Sequence, residues 1–131
     1  MAEHPNVDLI RLGFDSFNAG DTEALSALLD ENAVQHMAGR NAVFSGDHVG
    51  RDNLFAMYGR LVEVSGGTFR AELDNVWAND DTAVALYRAK AEREGERLDM
   101  LNALIFAIRD GIVTELTDIP HDVDEQDEFW S

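Results

Sequence analysis

Asp118 is the residue whose type and position best suit acid/base chemistry in this sequence. It lies near the end of the last strand-like segment, between Leu116 and Pro120. A carboxylate held among apolar side chains has its charged form disfavoured, and its pKa then moves toward the range useful for proton transfer. The alternative role is structural, in which Asp118 caps the turn into the C-terminal segment or pairs with an arginine. Asp118 is therefore our first candidate for a catalytic acid or base, provided that its side chain faces a pocket, which its sequence neighbours alone do not decide.

Asn102 is the only polar residue in the run Leu101–Ile108. Such a run is typical of a central strand that is buried on both faces. A buried amide needs hydrogen-bond partners, which are either other protein groups or the oxygen of a ligand. Because Asn102 has the same parity as Leu104, we expect it on the inner face of the sheet beside Asp118, as a second candidate catalytic residue.

Two tyrosines could each present a hydroxyl group to a pocket. Tyr58 falls in a helical pattern and Tyr87 in a strand-like pattern, and either could equally be a packing residue. We take Tyr58 as a third candidate catalytic residue and Tyr87 as a candidate for substrate binding. On the short predicted strand, Gln35 and Met37 should face inward, and His36 then points to the surface.

The sequence shows no convincing metal or cofactor motif. His121 with Asp122, Asp124 and Asp127 has the spacing of a solvated acidic tail, not of a ligand set. No glycine-rich phosphate loop follows a predicted strand. We therefore predict neither a metal nor a cofactor.

Length and charge limit the classes of protein to consider. A chain of 131 residues supports one core, so we predict a single domain over residues 1–131. The net charge of −16 repels phosphate backbones and anionic lipids, which argues against nucleic-acid and membrane partners. The chain has no cysteine, and its N-terminus has neither a basic start nor an apolar run. We therefore expect a cytoplasmic protein.

The N-terminal half has helical periodicity. Apolar residues recur every three or four positions from Val7 to Phe17, after a possible cap at Asn6 and before Gly20. Asp21 can cap a short second helix. The sequence then predicts a brief strand over Val34–Met37 as an extra edge of the sheet, a loop over Gly39–Gly50, and a third helix containing the apolar side chains of Leu54, Met57, Tyr58, Leu61 and Val62.

From Thr68 onward the pattern changes to long strand-like segments. These segments are Thr68–Trp77, Thr82–Arg93, Leu98–Arg109 and Ile112–Ile119. The turns between them are short enough to require antiparallel hairpins. Strands this long twist and coil strongly, so a meander with helices on one face becomes a cone. We predict an α+β fold, a cone-shaped roll in which three N-terminal helices pack on a strongly curved antiparallel sheet.

Four short motifs in this order resemble the SnoaL-like branch of the nuclear-transport-factor-2-like superfamily. They are Gly20-Asp21-x-Glu23-Ala24-Leu25, Gly46-x-x-x-Gly50-Arg51-Asp52, Arg109-Asp110-Gly111-Ile112-Val113-x-Glu115, and the tail from Asp118-Ile119-Pro120-His121-Asp122 to Asp127-Glu128-Phe129-Trp130. The resemblance covers nearly the whole chain. It implies a pocket between the helices and the sheet, but a shared fold does not identify the chemistry.

The resemblance argues against the chemistry of the steroid isomerases in this superfamily. It places their aspartate base on Met37, their oxyanion tyrosine on Gly13 and their strand aspartate on Leu104, and only a supporting tyrosine is matched, by Tyr58. Methionine and glycine side chains can neither take up a proton nor donate a hydrogen bond. An epoxide-hydrolase arrangement is also disfavoured, because Arg88 has the wrong parity to enter the pocket.

The polyketide cyclases of this superfamily match better, since the resemblance places their acid/base aspartate near Asp118. It also aligns Leu116 and Pro120 with pocket-wall positions, which implies that Asp118 points inward. Two functions remain open. The first is a cyclase, isomerase or hydratase acting on an apolar, polyketide-like or steroid-like substrate. The second is a non-catalytic module that binds a ligand or a partner. Under either, the predicted pocket wall comprises Phe17, Gln35, Met37, Tyr58, Tyr87, Asn102, Leu104, Leu116 and Asp118.

The outer face of the predicted sheet carries apolar residues with no helix to cover them. Val84, Leu86 and Ile105 would be left in water, and such a patch usually marks an interface. We expect a homodimer packed through the sheets, as the resemblance also implies.

Overall fold

The computed structural model describes residues 3–131 of the chain. Over these residues it contains four helices and six strands: α1 (Pro5–Ala19), α2 (Thr22–Leu28), β1 (Leu29–Met37), β2 (Gly46–Val49), α3 (Arg51–Val64), β3 (Arg70–Ala78), β4 (Thr82–Arg93), β5 (Glu96–Arg109), β6 (Ile112–Pro120) and α4 (Val123–Trp130). Helices α1 and α3 pack on the inner face of the sheet. This arrangement confirms the predicted α+β roll. None of the helices in this part of the chain combines the length and apolar character that crossing a bilayer requires.

The N-terminal cap of helix α1 lies two residues before the predicted cap at Asn6. The cap is His4, whose side chain accepts a hydrogen bond from the Asn6 backbone N–H, and Pro5 suits the first helical position because it lacks an N–H. The Asn6 side chain instead donates to the carbonyls of Asn79 and Asp80. Gly20 ends the helix with a φ of 69°, as expected of a left-handed cap. Helix α1 is thereby fixed against the turn between β3 and β4.

The C-terminal half of the sheet is the predicted antiparallel meander of β3, β4, β5 and β6. Two of its hairpins turn at residue pairs in which both members have positive φ, Glu94-Gly95 and Asp110-Gly111. Such two-residue turns match the right-handed twist of the strands that they join. These tight connections fix the register, and with it the alternation between inner and outer face.

The N-terminal strand differs from the prediction in length, neighbours and direction. β1 begins at Leu29, and it lies inside the sheet between β2 and β6. The predicted extra edge is wrong, because the edge is β2, which forms within the predicted loop Gly39–Gly50. β1 runs parallel to β6 and places Met37 beside Asp118. Its first half shows no clear alternation because its register with β6 shifts between Leu29 and Val34.

The C-terminal segment is a helix, so the prediction of a solvated acidic tail is wrong. Asp122 caps α4 by accepting a hydrogen bond from the Glu125 N–H, and Asp124 and Glu125 lie in its first turn, where carboxylates are favourable. Phe129 and Trp130 are buried at its end. The acidic residues therefore start the helix, and the aromatic residues attach it to the core.

The outer face of the sheet carries a group of apolar side chains without a covering helix. Trp77 and Ile119 are 55% and 48% exposed. The strand register places Trp77, Val84 and Ile105 in one row across β3, β4 and β5. We call the following residues the outer apolar patch: Trp77, Val84, Leu86, Ala103, Ile105 and Ile119.

Candidate active site

A cavity lies between the inner face of the sheet and the helices. Small side chains leave room for it, because the inward residues of β4 on either side of Tyr87 are alanines. The centre of a water-sized molecule can occupy about 110 Å³ of this cavity, whereas one buried water needs roughly 10–15 Å³. Most of the wall is apolar, with a few polar side chains, as is typical of sites for small organic ligands.

Every residue that the sequence analysis assigned to the pocket lies in the wall of this cavity: Phe17, Gln35, Met37, Tyr58, Tyr87, Asn102, Leu104, Leu116 and Asp118. Gly13 also lies in the wall. The cavity therefore contains each position to which the resemblance assigns an isomerase group. The supporting tyrosine is present as Tyr58, whereas methionine, glycine and leucine occupy the positions of the base, the oxyanion tyrosine and the strand aspartate.

Asp118 lies on β6 with apolar neighbours on both sides. It pairs with Leu104 of β5 and with Met37 of β1, and it is 4% exposed. Burial raises the pKa of Asp118 to about 7, and the hydrogen bond from Tyr87 opposes this rise. Asp118 can therefore take up or release a proton near neutral pH.

Tyr87 connects Asp118 to Asn102. Its hydroxyl donates to Asp118 Oδ1 at 2.9 Å and accepts from Asn102 Nδ2 at 3.3 Å. Burial, followed by the charge of Asp118, raises the pKa of Tyr87 well above its ordinary value. Phe14 of α1 packs against the Tyr87 ring, with 5.4 Å between the ring centroids. Tyr87 therefore keeps its proton and holds the Asp118 carboxylate in one orientation.

Tyr58 and Gln35 form a second polar pair in the wall. The Tyr58 hydroxyl donates to Gln35 Oε1, and Gln35 Nε2 in turn donates to Met37 Sδ at 3.3 Å. Phe17 holds the Tyr58 ring edge to face, with 5.3 Å between the centroids. Burial raises the pKa of Tyr58, and the charge of Asp118 raises it further. The charge of Asp118 therefore affects Tyr58 although the two side chains share no hydrogen bond.

Sequence reasoning missed the part of the wall that α4 supplies. Gln126 and Trp130 line the cavity, and Gln126 Nε2 donates to the Ala38 carbonyl at 3.2 Å. A signal was present in the sequence, because Gln126 and Trp130 are four positions apart and follow the capping residue Asp122. The acidic composition of the segment concealed this helical spacing.

His36 lies on the outer face of the sheet, as its parity predicted. Its ring nitrogens lie 2.7 Å from Asp47 Oδ1 and 2.6 Å from Glu115 Oε2. The hydrogen bond to Asp47, followed by that to Glu115, raises the pKa of His36. Across the described residues, no cluster of three or more His, Cys, Asp or Glu side chains is arranged to hold a metal ion.

Comparison with known proteins identifies related sequences. A model of the SnoaL-like domain matches residues 10–116. The uncharacterized protein Rv0034 of Mycobacterium tuberculosis is 30% identical over 132 residues, which cover all of both chains.

Solved structures share the fold. Bal32a, from a soil-derived mobile gene cassette, superposes with a TM-score of 0.92 at 39% identity and covers 96% of each chain. IdmH of Streptomyces antibioticus, a candidate polyketide cyclase, superposes with a TM-score of 0.75 at 21% identity, covering 90% of this chain and 93% of its own. Because the SnoaL-like domain model matches residues 10–116, which are most of the sequence, the chain belongs to the SnoaL-like domain family.

Proposed function

We propose that this protein binds a mainly apolar small molecule and acts on it by acid/base catalysis at Asp118, in a cyclisation, isomerisation or hydration reaction. The observation that supports this most directly is the Asp118 carboxyl, which is 4% exposed in the cavity wall and has a pKa of about 7. An acid or base works best when its pKa lies near the operating pH. Candidate polyketide cyclases among proteins of the same fold are consistent with this class of reaction.

The proposed roles follow from the positions of the side chains. Asp118 transfers the proton, Tyr87 orients its carboxylate, and Asn102 and Tyr58 supply the other polar atoms near the reacting group. The apolar wall, including Phe17, Leu104 and Leu116, excludes water and shapes the ligand. Further wall residues proposed to contact the ligand are Gln35 and Met37.

A non-catalytic ligand-binding module is the second candidate. It is favoured by the hydrogen bonding of the two tyrosines, since both hydroxyl protons already go to protein acceptors. It is also favoured by the amino acids at Met37 and Gly13, which cannot perform isomerase chemistry. In this alternative, Asp118 orients a ligand without transferring a proton.

An exchange assay distinguishes the two candidates. Binding of 4-hydroxy-1-tetralone, a ring ketone that also carries a hydroxyl group, is first established by thermal shift, and exchange of its α-protons in D₂O is then followed by proton NMR. If Asp118 is a base, its carboxylate removes the α-proton and returns a deuteron, so the protein accelerates exchange. Asp118→Asn should lower that rate by about a hundredfold or more.

The matched control is Asp74→Asn, which removes a carboxylate from an exposed position on β3 and should leave the exchange rate unchanged. Binding without accelerated exchange, or exchange that survives in Asp118→Asn, would favour the binding module.

A further inference from the structure

The polar end of the cavity has a fixed direction of hydrogen bonding. Tyr87 has one hydroxyl proton, and this proton is donated to Asp118 Oδ1. The Tyr87 oxygen can then only accept, and the group beside it is Asn102 Nδ2. The carbonyl oxygen of the Asn102 amide must therefore point away from Tyr87.

Two acceptor atoms at this end of the cavity have no partner within residues 3–131. Asn102 Oδ1 is a buried side-chain oxygen without a hydrogen bond. In its ionised form, Asp118 accepts the Tyr87 hydrogen bond at Oδ1, and its Oδ2 is a second acceptor, to which none of the described residues donates. Because Asn102 and Asp118 both bond to the same Tyr87 oxygen, they lie side by side in the wall. Leaving a buried acceptor unpaired is unfavourable, so a donor placed there is strongly preferred.

The remaining polar side chains of the wall already donate hydrogen bonds to protein acceptors. Tyr58 donates to Gln35, Gln35 donates to Met37, and Gln126 donates to the Ala38 carbonyl. Near Asp118, the unused hydrogen-bonding capacity is therefore that of two acceptor atoms, Asn102 Oδ1 and the ionised Asp118 Oδ2, against one remaining N–H of Asn102 Nδ2. Such a site discriminates between ligands that carry a donor and ligands of the same shape that lack one.

We infer that the ligand is a neutral, mainly apolar ring compound with a hydroxyl group, and that this hydroxyl donates to Asn102 Oδ1 beside Asp118. This inference rests on the proposed function, because it requires that the cavity binds a small molecule. It adds a substrate class to that function: the ligand is a phenol, an enol or an alcohol, and not a molecule whose polar groups are all acceptors. It also makes Asn102 the residue that selects the ligand.

The charge of the ligand follows from its surroundings. The chain carries a net charge of −16, and the site contains a carboxyl group, so an anion would be repelled. An ammonium group could pair with the Asp118 carboxylate, but burying this ion pair among the apolar residues of the wall would carry a large desolvation cost for both charges. A neutral hydroxyl satisfies the free acceptors without either cost.

The test compares two ring compounds of nearly the same size, 2-naphthol and 2-fluoronaphthalene, of which only the first carries a donor. Dissociation constants are measured by titration followed by proton–nitrogen NMR of the full chain. The wild type should bind 2-naphthol at least about tenfold more tightly. The Asn102 side-chain carbon signal should shift with 2-naphthol alone, which reports the new hydrogen bond without any substitution.

Two variants test whether Asn102 is responsible for the preference for 2-naphthol. Asn102→Leu keeps the size of the side chain but removes the acceptor, and it should bring the two dissociation constants within about twofold of each other. Asn53→Leu makes the same change on the exposed face of α3 and should retain the full preference.

Several results would overturn the inference. Equal affinity of the wild type for both compounds would refute the hydroxyl preference and leave the proposed cavity function standing, whereas binding of neither would remove both. A preference that persists in Asn102→Leu would show that another residue selects the ligand. Tighter binding of 2-naphthylmethylamine than of 2-naphthol would replace the neutral hydroxyl with a cation at Asp118.

Discussion

The Tyr87 hydroxyl donates a 2.9 Å hydrogen bond to Asp118 Oδ1 at the end of the cavity. The bond joins β4 to β6 across the intervening strand β5. It stabilises the ionised carboxylate, whereas burial favours the protonated form. The pKa of Asp118 therefore reflects two opposed effects, and each can be changed separately.

Removing the hydroxyl should raise the pKa of Asp118 further. Tyr87→Phe keeps the ring that packs on Phe14 but deletes the donor, so the ionised carboxylate loses its hydrogen bond. Carbon-13 titration of the Asp118 carboxyl in wild type and variant measures the change. Tyr58→Phe is the control, because its hydroxyl bonds to Gln35 and its loss should move the pKa less. An unchanged or lower pKa in Tyr87→Phe would contradict this account.

The stability of the protein should depend on pH through Asp118. Its pKa is about 7 in the folded chain against an ordinary value of 3.8, so the folded state binds more protons than the unfolded state between these values. The contribution of Asp118 is therefore most favourable below about pH 4, and it is lost as pH rises to about 7. A difference of that size corresponds to about 4 kcal/mol.

Urea unfolding of wild type and Asp118→Asn at a series of pH values measures this contribution, because the other carboxyl groups are the same in both proteins. The difference in free energy of unfolding, variant minus wild type, should increase as the pH rises from 4 to 8. A constant difference between the two proteins would show that the carboxyl is not perturbed by folding.

Asp127 should anchor the loop between β1 and β2. Its carboxylate accepts hydrogen bonds from the backbone N–H groups of Arg40 and Asn41 and from the Asn41 side chain. Asp127→Ala leaves these donors unpaired and should lower the free energy of unfolding by about 1–3 kcal/mol. Asp124→Ala, at an exposed position of the same helix, should have a much smaller effect. Equal losses in the two variants would contradict the proposed anchor.

The outer apolar patch should form a homodimer interface. Light scattering at micromolar concentration should give about twice the chain mass of 14.5 kDa. Ile105→Glu places a charge at the centre of the patch and should give monomers without unfolding the chain, because the side chain points away from the core. Val62→Glu, at a position on α3 that is 45% exposed, should leave the dimer intact. A wild-type mass near that of one chain would exclude the interface.

The parts of the fold that local patterns determine could be predicted from the sequence. Alternation over Thr82–Arg93 and the turn residues Asp110-Gly111 were enough to predict the hairpins and to separate inner from outer positions. The same parity placed Asn102 on the inner face and His36 on the outer face. The position of Asp118 in the wall depended on the family resemblance, because its own neighbours allow more than one role.

Features that depend on distant contacts could not be predicted. The parallel pairing of β1 with β6 leaves no signature in the strand-like residues around Gln35. Helix α4 was missed because its acidic residues suggested a solvated segment, although Trp130 attaches it to the core. The unpaired Asn102 Oδ1 follows only from the direction of the Tyr87 hydrogen bonds.

The parallel pairing of β1 with β6 also has a consequence for the order of folding. His36 and Glu115, which meet across this pair, are 79 positions apart in the sequence, whereas each hairpin of the meander joins neighbouring segments. Closing a long loop costs more entropy than closing a short one, so contacts between distant residues tend to form late. We therefore expect the meander to form first and β1 to dock afterwards, completing the cavity only in the last step. In pulse-labelling hydrogen exchange, the amides of β4 and β5 should gain protection before those of β1, and simultaneous protection would contradict this order.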